Sequence, residues 1–495
     1  MNVVAHTKSL CPDCLKVLDA TILEEDNIVY IIKKCEKHGN FKDVYWSDYE
    51  IYQRAKKFEH IGDGLYNPQT KRTVKGCPSD CGICNEHKSH TALAIVDVTN
   101  RCNLKCPFCF AHAGAAGYVY EPSIEELKAI IDRFASNKPV KPPGIQFSGG
   151  EPTLREDLPE LIAYAKEKGI RHIEVNSNGV RLGRSIEYCR KLKEAGVSAI
   201  YLQFDGVTPD VYLTTRGVDL FKLKLQVIEN CRKIGFDAVV LVPTLIRGVN
   251  DHQLWDIISF AIKNIDTVRC VNIQPVSICG RINREKLREM RITIPDAMKI
   301  VENQSNGQIK TGDFYPVPFV VPLSSGIGAL QDHRYVEFTI HPHCGMATYL
   351  FVEDDGKIVP ITRYGNIEKF MEIMEKASEA AKEGHKTKAK LKMLSGLRHV
   401  KGSLLRKLLP PILKTGSYKS LAALHYRMLM IGMMHFMDPY NFDLERVQRC
   451  CIHYGLPDGT LRPFCSYNTI HRPIVEKKFA KARALCGEVR GYFVC

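Results

Sequence analysis

Asp97-Val-Thr-Asn-Arg-Cys102-Asn-Leu-Lys-Cys106-Pro-Phe-Cys109 sets three cysteines at x3 and x2 spacing, in a loop directly after an apolar strand at Ala92 to Val98. Three thiolates so spaced bind three irons of a 4Fe–4S cube and leave the fourth iron open. An open iron can chelate the amino and carboxylate groups of S-adenosylmethionine (SAM), and one electron from the cluster then cleaves SAM to a 5′-deoxyadenosyl radical. Phe108 precedes the third cysteine, and one strand–helix unit later comes Gly149-Gly150-Glu151-Pro152. The bare glycine backbone and the Glu151 carboxylate suit the SAM amino group. Together these features point to radical SAM chemistry and away from a zinc knuckle.

Around this loop, strands and helices alternate. Strands are expected at Gly144 to Ser148, His172 to Asn176, Ser198 to Phe204, Ala238 to Thr244 and Cys270 to Val276. Helices fall between them, the first capped by Ser123. Regular alternation implies a parallel sheet with right-handed crossovers, an α/β partial (β/α)6 barrel. Its active site belongs at the C-terminal strand ends. Asn176-Ser177-Asn178-Gly179 and Gln203-Phe204-Asp205-Gly206 stand at such ends. Asn178 can reach ribose hydroxyls; Gln203 and Asp205 can meet the SAM carboxylate or the ribose.

The chain has 19 cysteines in 495 residues, and no N-terminal stretch has the layout of a signal peptide. A cytoplasmic protein is expected, where thiols bind metal rather than pair. Cys189, Cys231 and Cys270 lie in apolar patterns and read as small core residues. Cys77, Cys81 and Cys84 repeat the x3, x2 spacing without the flanking strand or the Gly-Gly-Glu, so they read as an auxiliary 4Fe–4S cluster. Its fourth ligand could be Cys279, a substrate atom or none. Cys344, Cys450, Cys451 and Cys465 offer thiolates for a second auxiliary cluster. Near the start, Cys11-Pro-Asp-Cys14 and Cys35-Glu-Lys-His38 flank a β-hairpin, as in a ribbon holding one tetrahedral zinc or iron.

The formal net charge of +14 favours an anionic partner. From Gly384 to Met437 there is no Asp or Glu and there are 11 Lys or Arg, with a basic-apolar segment at Leu404 to Lys414 and a Met-rich run at Met428 to Met437. Such a surface suits anionic lipid headgroups, and no apolar run is long enough to span a bilayer. Phe314 to Leu323, punctuated by prolines, reads as an extended wall. Four regions follow: a metal-binding ribbon (1–76), an auxiliary-cluster segment (77–90), the barrel (91–300) and an auxiliary-cluster and substrate region (301–495).

Lys8-Ser-Leu-Cys-Pro-Asp-Cys14, Trp46-Ser-Asp48, Gly76-Cys-Pro-Ser-Asp-Cys81, His87-Lys-Ser-His90, the central loop and Cys450-Cys451-Ile-His-Tyr-Gly-Leu456 are in the sequence together. On these residues the chain resembles the archaeal radical SAM tetraether lipid synthases over nearly its whole length. Members of that family are also assigned as methylases of the methanopterin pterin ring. The resemblance implies a C–C bond between the terminal methyl carbons of two phytanyl chains. It implies an archaeol-type diether phospholipid as substrate, peripheral contact with an anionic membrane surface and a low-potential electron donor. It also implies three 4Fe–4S clusters and a mononuclear iron, with Cys102, Cys106 and Cys109 on the SAM cluster; His38 departs from a fourth cysteine. The walls of an apolar channel are expected in Phe314 to Leu323 and Met428 to Met437.

Two other functions use the same barrel. A pterin C-methylase needs a polar pocket for a folate-like ring. An RNA- or cofactor-modifying enzyme needs phosphate contacts, but here basic and aromatic residues do not interleave as a base-stacking platform would.

Overall fold

A computed structural model describes residues 1–68, 75–281, 284–353, 357–402 and 428–480. The basic-apolar segment Leu404 to Lys414 lies outside them.

The chain opens with a four-stranded antiparallel sheet, β1 (Asn2–Leu10), β2 (Val17–Glu25), β3 (Ile28–Cys35) and β4 (Gly39–Trp46), followed by α1 (Tyr49–Lys56). This ribbon is fastened to a distant segment. The buried Lys33 ammonium donates to Ser9 Oγ and to the carbonyls of Pro439 and Tyr440 at 2.7–2.9 Å. The Tyr45 hydroxyl and the Thr7 hydroxyl both donate to the Asp443 carboxylate at 2.7 Å.

Six parallel strands form the centre: β5 (Leu93–Thr99), β6 (Gly144–Gly149), β7 (His172–Ser177), β8 (Ala199–Gln203), β9 (Val239–Val242) and β11 (Val268–Pro275), with the two-residue β10 (Thr244–Leu245) paired to β11. Helices α2 (Ile124–Ala135), α3 (Leu158–Glu167), α4 (Val180–Arg184), α5 (Ile186–Ala195), α6 (Pro209–Arg216), α7 (Phe221–Lys233) and α8 (Leu254–Lys263) intervene. Ser123 caps α2 in a capping box with Glu126. Along each strand, alternate residues face alternate sides. Ile145, Phe147, Ile173, Val175, Ile200 and Leu202 pack into the main core, while their neighbours line the barrel interior. The expected α/β radical SAM barrel with its N-terminal ribbon is the fold observed.

The C-terminal region builds on both edges of this sheet. The Met-rich run is strand β15 (Met428–Met434), parallel to β11 with Cys270 opposite Met430; β13 (Gly345–Val352) then pairs antiparallel with β15. On the other edge β16 (Ile452–Gly455) runs parallel to β5, with Leu93 opposite Ile452, and β17 (Leu461–Pro463) pairs with β16. Short β12 (Tyr315–Pro316) and β14 (Ile358–Pro360) flank β13. The proline-punctuated segment differs from its expected extended form. After β12 it turns into a helix at Val321–Gln331, with Pro322 in the first turn, where its missing N–H costs nothing. Among the described residues no helix is long and apolar enough to cross a membrane.

Candidate active site

A cavity of about 810 Å³ runs through the barrel, from the N-terminal strand ends (Gly144, His172, Ala199) to the Cys102–Cys109 loop. Cys102, Cys106 and Cys109 stand in its wall with Phe108, Gly149, Gly150, Asn178 and Gln203.

The loop is held by backbone. Gly150 N–H donates to Thr99 O at 2.7 Å and Glu151 N–H to Arg101 O at 2.8 Å. Gly149 has φ +123°, and a Cβ there would meet Thr99 O at 2.2 Å; a Cβ at Gly150 would meet Arg101 O at 2.1 Å. The two glycines therefore let β6 end against the thiol loop. Arg281, just past β11, pairs with Cys109 through the backbone, and its Nε donates to Cys106 O at 3.0 Å.

Glu151 lies behind these glycines rather than facing the SAM space, at 1% exposure. Its carboxylate accepts from Thr153 Oγ (2.6 Å), Ser177 Oγ (2.8 Å) and Asn178 N–H (2.7 Å), tying the ends of β6 and β7 together. Asp205 is also set back: it accepts from Thr244 N–H and Thr215 Oγ and grips Arg216, which reaches the cavity. Asn178 is placed to contact the loop, donating to Asn103 Oδ1 at 2.7 Å and approaching Cys102 Sγ at 3.9 Å.

Two cations were not legible as site residues. Arg216 lies beside the Cys106 thiol; burial pushes that thiol up and Arg216 pulls it back. Lys224, fully buried, donates to Asn178 O at 2.5 Å and Gln203 Oε1 at 2.8 Å, and burial lowers it to about 7. Cys102 is pushed up to about 12 by burial, with the Glu151 carboxylate adding to it. Towards the three sulfurs point an Ala113 N–H (3.3 Å to Cys109), an Asn178 amide and a guanidinium. Donors around sulfur fit thiolates on a cluster, whose negative charge they offset.

The other cysteine groups are also gathered. The ligand atoms of Cys11, Cys14, Cys35 and His38 all lie within 4.8 Å of one another, with His38 Nδ1 at 3.4 Å from both Cys11 and Cys35 sulfurs. Against the upward push of burial, the Lys37 amide and His38 bring the Cys35 thiol down to about 6, which favours the ligating thiolate. Cys77 and Cys81 pack with Leu10, Met437 and Cys465. Cys279 sits between Ser277 Oγ (3.5 Å) and Thr469 Oγ (3.7 Å). Cys344, Cys450 and Cys465 line a second cavity of about 20 Å³, while Cys451 lines the large one. Cys189, Cys231 and Cys270 lie within the barrel layers, Cys270 facing the large cavity.

Both segments expected as channel walls reach the cavity, through Val317 and through Met428, Met430 and Met434. The barrel interior adds polar side chains to a mostly apolar lining. Gln146, Glu174, Asn176, Tyr201, Asn272 and Gln274 face it from four strands. Gln146 Nε2 donates to Glu174 at 2.7 Å, His172 contacts the same carboxylate at 2.9 Å, and Asn272 and Gln274 both donate to the Tyr201 hydroxyl.

Residues 96–261 match the Radical SAM superfamily, and residues 3–47 match the HMPTM N-terminal zinc ribbon domain. The chain is 51% identical over 486 residues to the 7,8-dihydro-6-hydroxymethylpterin dimethyltransferase of Methanocaldococcus jannaschii, covering 96% of this chain and 95% of that one. It is 42% identical over 150 residues to the Fe-coproporphyrin III synthase of Methanosarcina barkeri, covering 30% and 36%. It is 25% identical over 267 residues to the GTP 3',8-cyclase of Alkaliphilus oremlandii, covering 54% and 79%.

The full-length relative corrects the tetraether expectation. Its name is that of a pterin-ring methylase, so the tetraether lipid synthase assignment, the joining of phytanyl chains, the archaeol-type phospholipid substrate and the anionic membrane partner are set aside. The barrel agrees physically, because a polar substrate can take over the bonds that the side chains of its polar belt make to one another, which a saturated chain cannot. Membership brings with it radical SAM chemistry, a 4Fe–4S cluster and SAM. The chain belongs to the family of the 7,8-dihydro-6-hydroxymethylpterin dimethyltransferase, within the radical SAM superfamily.

Proposed function

We propose that this enzyme transfers methyl groups to the ring system of a dihydropterin, of the 7,8-dihydro-6-hydroxymethylpterin type, by radical SAM chemistry. The observation that carries this reading is the polar belt across the barrel. A pterin is flat and presents an amino group and a ring N–H side by side, a pattern matched by a carboxylate; Glu174 offers one at mid-barrel. Asn176, Asn272 and Gln274 provide amides for the ring carbonyl and nitrogens, and Met430 and Met434 pack soft sulfur against its faces.

Cys102, Cys106 and Cys109 hold the SAM cluster in this proposal. Phe108, Gly149, Gly150, Asn178 and Gln203 bound the SAM space, and Glu151 and Asp205 keep Asn178 and Arg216 in place. When bound, the cluster and SAM supply a primary carbon radical able to take hydrogen from an unactivated C–H bond. The protein's share is to orient the ring, exclude water and keep its own C–H groups at a distance. Cys77, Cys81 and Cys84 hold one auxiliary cluster, the downstream cysteines a second, and Cys11, Cys14, Cys35 and His38 one zinc or iron. A low-potential electron donor reduces the clusters.

Anaerobic enzyme reconstituted with iron and sulfide, given SAM and a low-potential reductant, is expected to release 5′-deoxyadenosine when 7,8-dihydro-6-hydroxymethylpterin is added. With a methyl donor also supplied, either a second SAM or a one-carbon-carrying folate-like cofactor, a pterin product heavier by one and then two methyl groups should accumulate. Deoxyadenosine that does not respond to the pterin, with an intact and reducible cluster, would overturn the proposal.

A further inference from the structure

Of the four downstream cysteines, only three share the small cavity. It holds about 20 Å³, roughly one water, and Cys344, Cys450 and Cys465 stand in its wall. Cys450 and Cys451 are consecutive at the entry to β16, so their side chains leave on opposite faces. Cys450 packs with Tyr454 and Phe464, whereas Cys451 packs with Ala92, Ile340 and Cys344 and faces the reaction cavity.

Apart from the thioethers of Met434 and Met437, the remaining side chain in the small cavity with ligand chemistry is His435. It is 1% exposed, and neither ring nitrogen has a hydrogen-bond partner. An imidazole carries a donor or an acceptor at each nitrogen, and leaving both unmet in a dry interior is costly. Around it the sulfurs already receive donors: Arg446 Nε donates to Cys344 Sγ and Met437 N–H to Cys465 Sγ, both at 3.3 Å. Such contacts can offset the charge of a ligating thiolate. Among the described residues, the two groups of ligand atoms that close to within 4.8 Å of one another are the ribbon set and Glu59 with His341 and Glu445. The Cys344 set does not close to that distance, and ligands on separate irons of one cluster need not.

We propose that Cys344, Cys450 and Cys465 hold an iron–sulfur cluster whose fourth protein ligand is the His435 imidazole, and that Cys451 is a free thiol in the wall of the reaction cavity. This rests on the reading that the downstream cysteines bind a cluster. A neutral imidazole in place of a thiolate removes one negative charge and raises the reduction potential. Arg446 acts in the same direction.

The test uses the full chain carrying Cys102→Ala, Cys106→Ala, Cys109→Ala and His38→Cys, reconstituted anaerobically with iron and sulfide, so that neither the SAM cluster nor the ribbon imidazole contributes. Pulsed electron paramagnetic resonance of the reduced protein is expected to show nitrogen coupled to a cluster, with the splitting changed by ¹⁵N-histidine. His435→Cys should keep iron and sulfide per chain, abolish that coupling and lower the midpoint potential. Cys451→Ser should change neither iron nor coupling. Iron in place without imidazole coupling, or loss of iron in Cys451→Ser, overturns the ligand assignment. Unchanged iron in Cys344→Ala overturns the cluster reading itself, and the assignment with it. The wild-type downstream ligands suffice for the nitrogen measurement, so it stands even if a variant fails to fold.

Discussion

Asp205 grips Arg216 with both carboxylate oxygens, at 2.5 Å to Nε and 2.9 Å to a terminal nitrogen, and the same guanidinium lies against the Cys106 thiol. Asp205 is fully buried. Asp205→Asn therefore strands a buried cation and should cost about 3–5 kcal/mol of stability. It should also lower deoxyadenosine formation. Urea unfolding and the iron content of the variant check this. Burial would raise the Asp205 carboxyl, but Arg216 outweighs it and holds it below the ordinary range. The contribution is thus present above the unfolded carboxylate value of about 3.9 and is lost as pH falls through the lower folded value.

Lys224 gives a slope of the same sign in a higher pH window. Burial lowers it to about 7, against about 10.4 in the unfolded chain. Between those values the unfolded state binds the extra proton, so stability rises with pH across that window. Lys224→Met should remove this part of the slope. It should also loosen Asn178 and Gln203, raising the Kd for SAM. Unfolding at several pH values, wild type against variant, is the measurement.

At the ribbon, Cys14→Ser or His38→Ala should each remove one metal ion per chain while leaving most of the cluster iron in place. Elemental analysis after gel filtration checks both. Cluster iron lost in proportion would mean that the ribbon metal and the clusters assemble together.

Glu174→Gln separates ring recognition from radical generation. The variant should show at least a tenfold higher KM for the dihydropterin, while deoxyadenosine released without substrate stays near wild type. An unchanged KM would remove Glu174 from the substrate site.

Gly149→Ala places a Cβ 2.2 Å from Thr99 O at a φ of +123°. The strain of roughly 1–3 kcal/mol should be relieved by moving the thiol loop. The expected result is enzyme that folds but retains less iron, read from its visible absorbance.

The six central strands were legible because each pairs an apolar run with a polar strand end, and because glycine and N-cap residues punctuate the helices. β15 was not. Set between β11 and β13 with one face in the core and the other on the cavity, Met428-Leu-Met-Ile-Gly-Met-Met434 shows no alternation of apolar and polar residues. β16 is four residues long and finds its partner across the whole barrel. Arg216 and Lys224 sit on helices and belong to no local motif. The polar belt did leave a signal: Gln146, Glu174, Asn176, Asn272 and Gln274 recur at every second position of strands that should be apolar throughout. That pattern argues for a hydrogen-bonding substrate, whereas the family resemblance, with the Met-rich and basic segments, points towards lipid.

The pairing of Leu93 with Ile452 also sets the order of manufacture. The first barrel strand leaves the ribosome long before its outer neighbour has been translated, and the ribbon waits as long for Pro439, Tyr440 and Asp443. Until then the nascent chain carries open sheet edges and bare thiols, the state most exposed to aggregation and oxidation. The sheet edge that leads into the Cys102–Cys109 loop is therefore closed only after synthesis of nearly the whole polypeptide. Slow translation or scarce iron should show up first as insoluble, metal-free protein rather than as soluble, inactive enzyme.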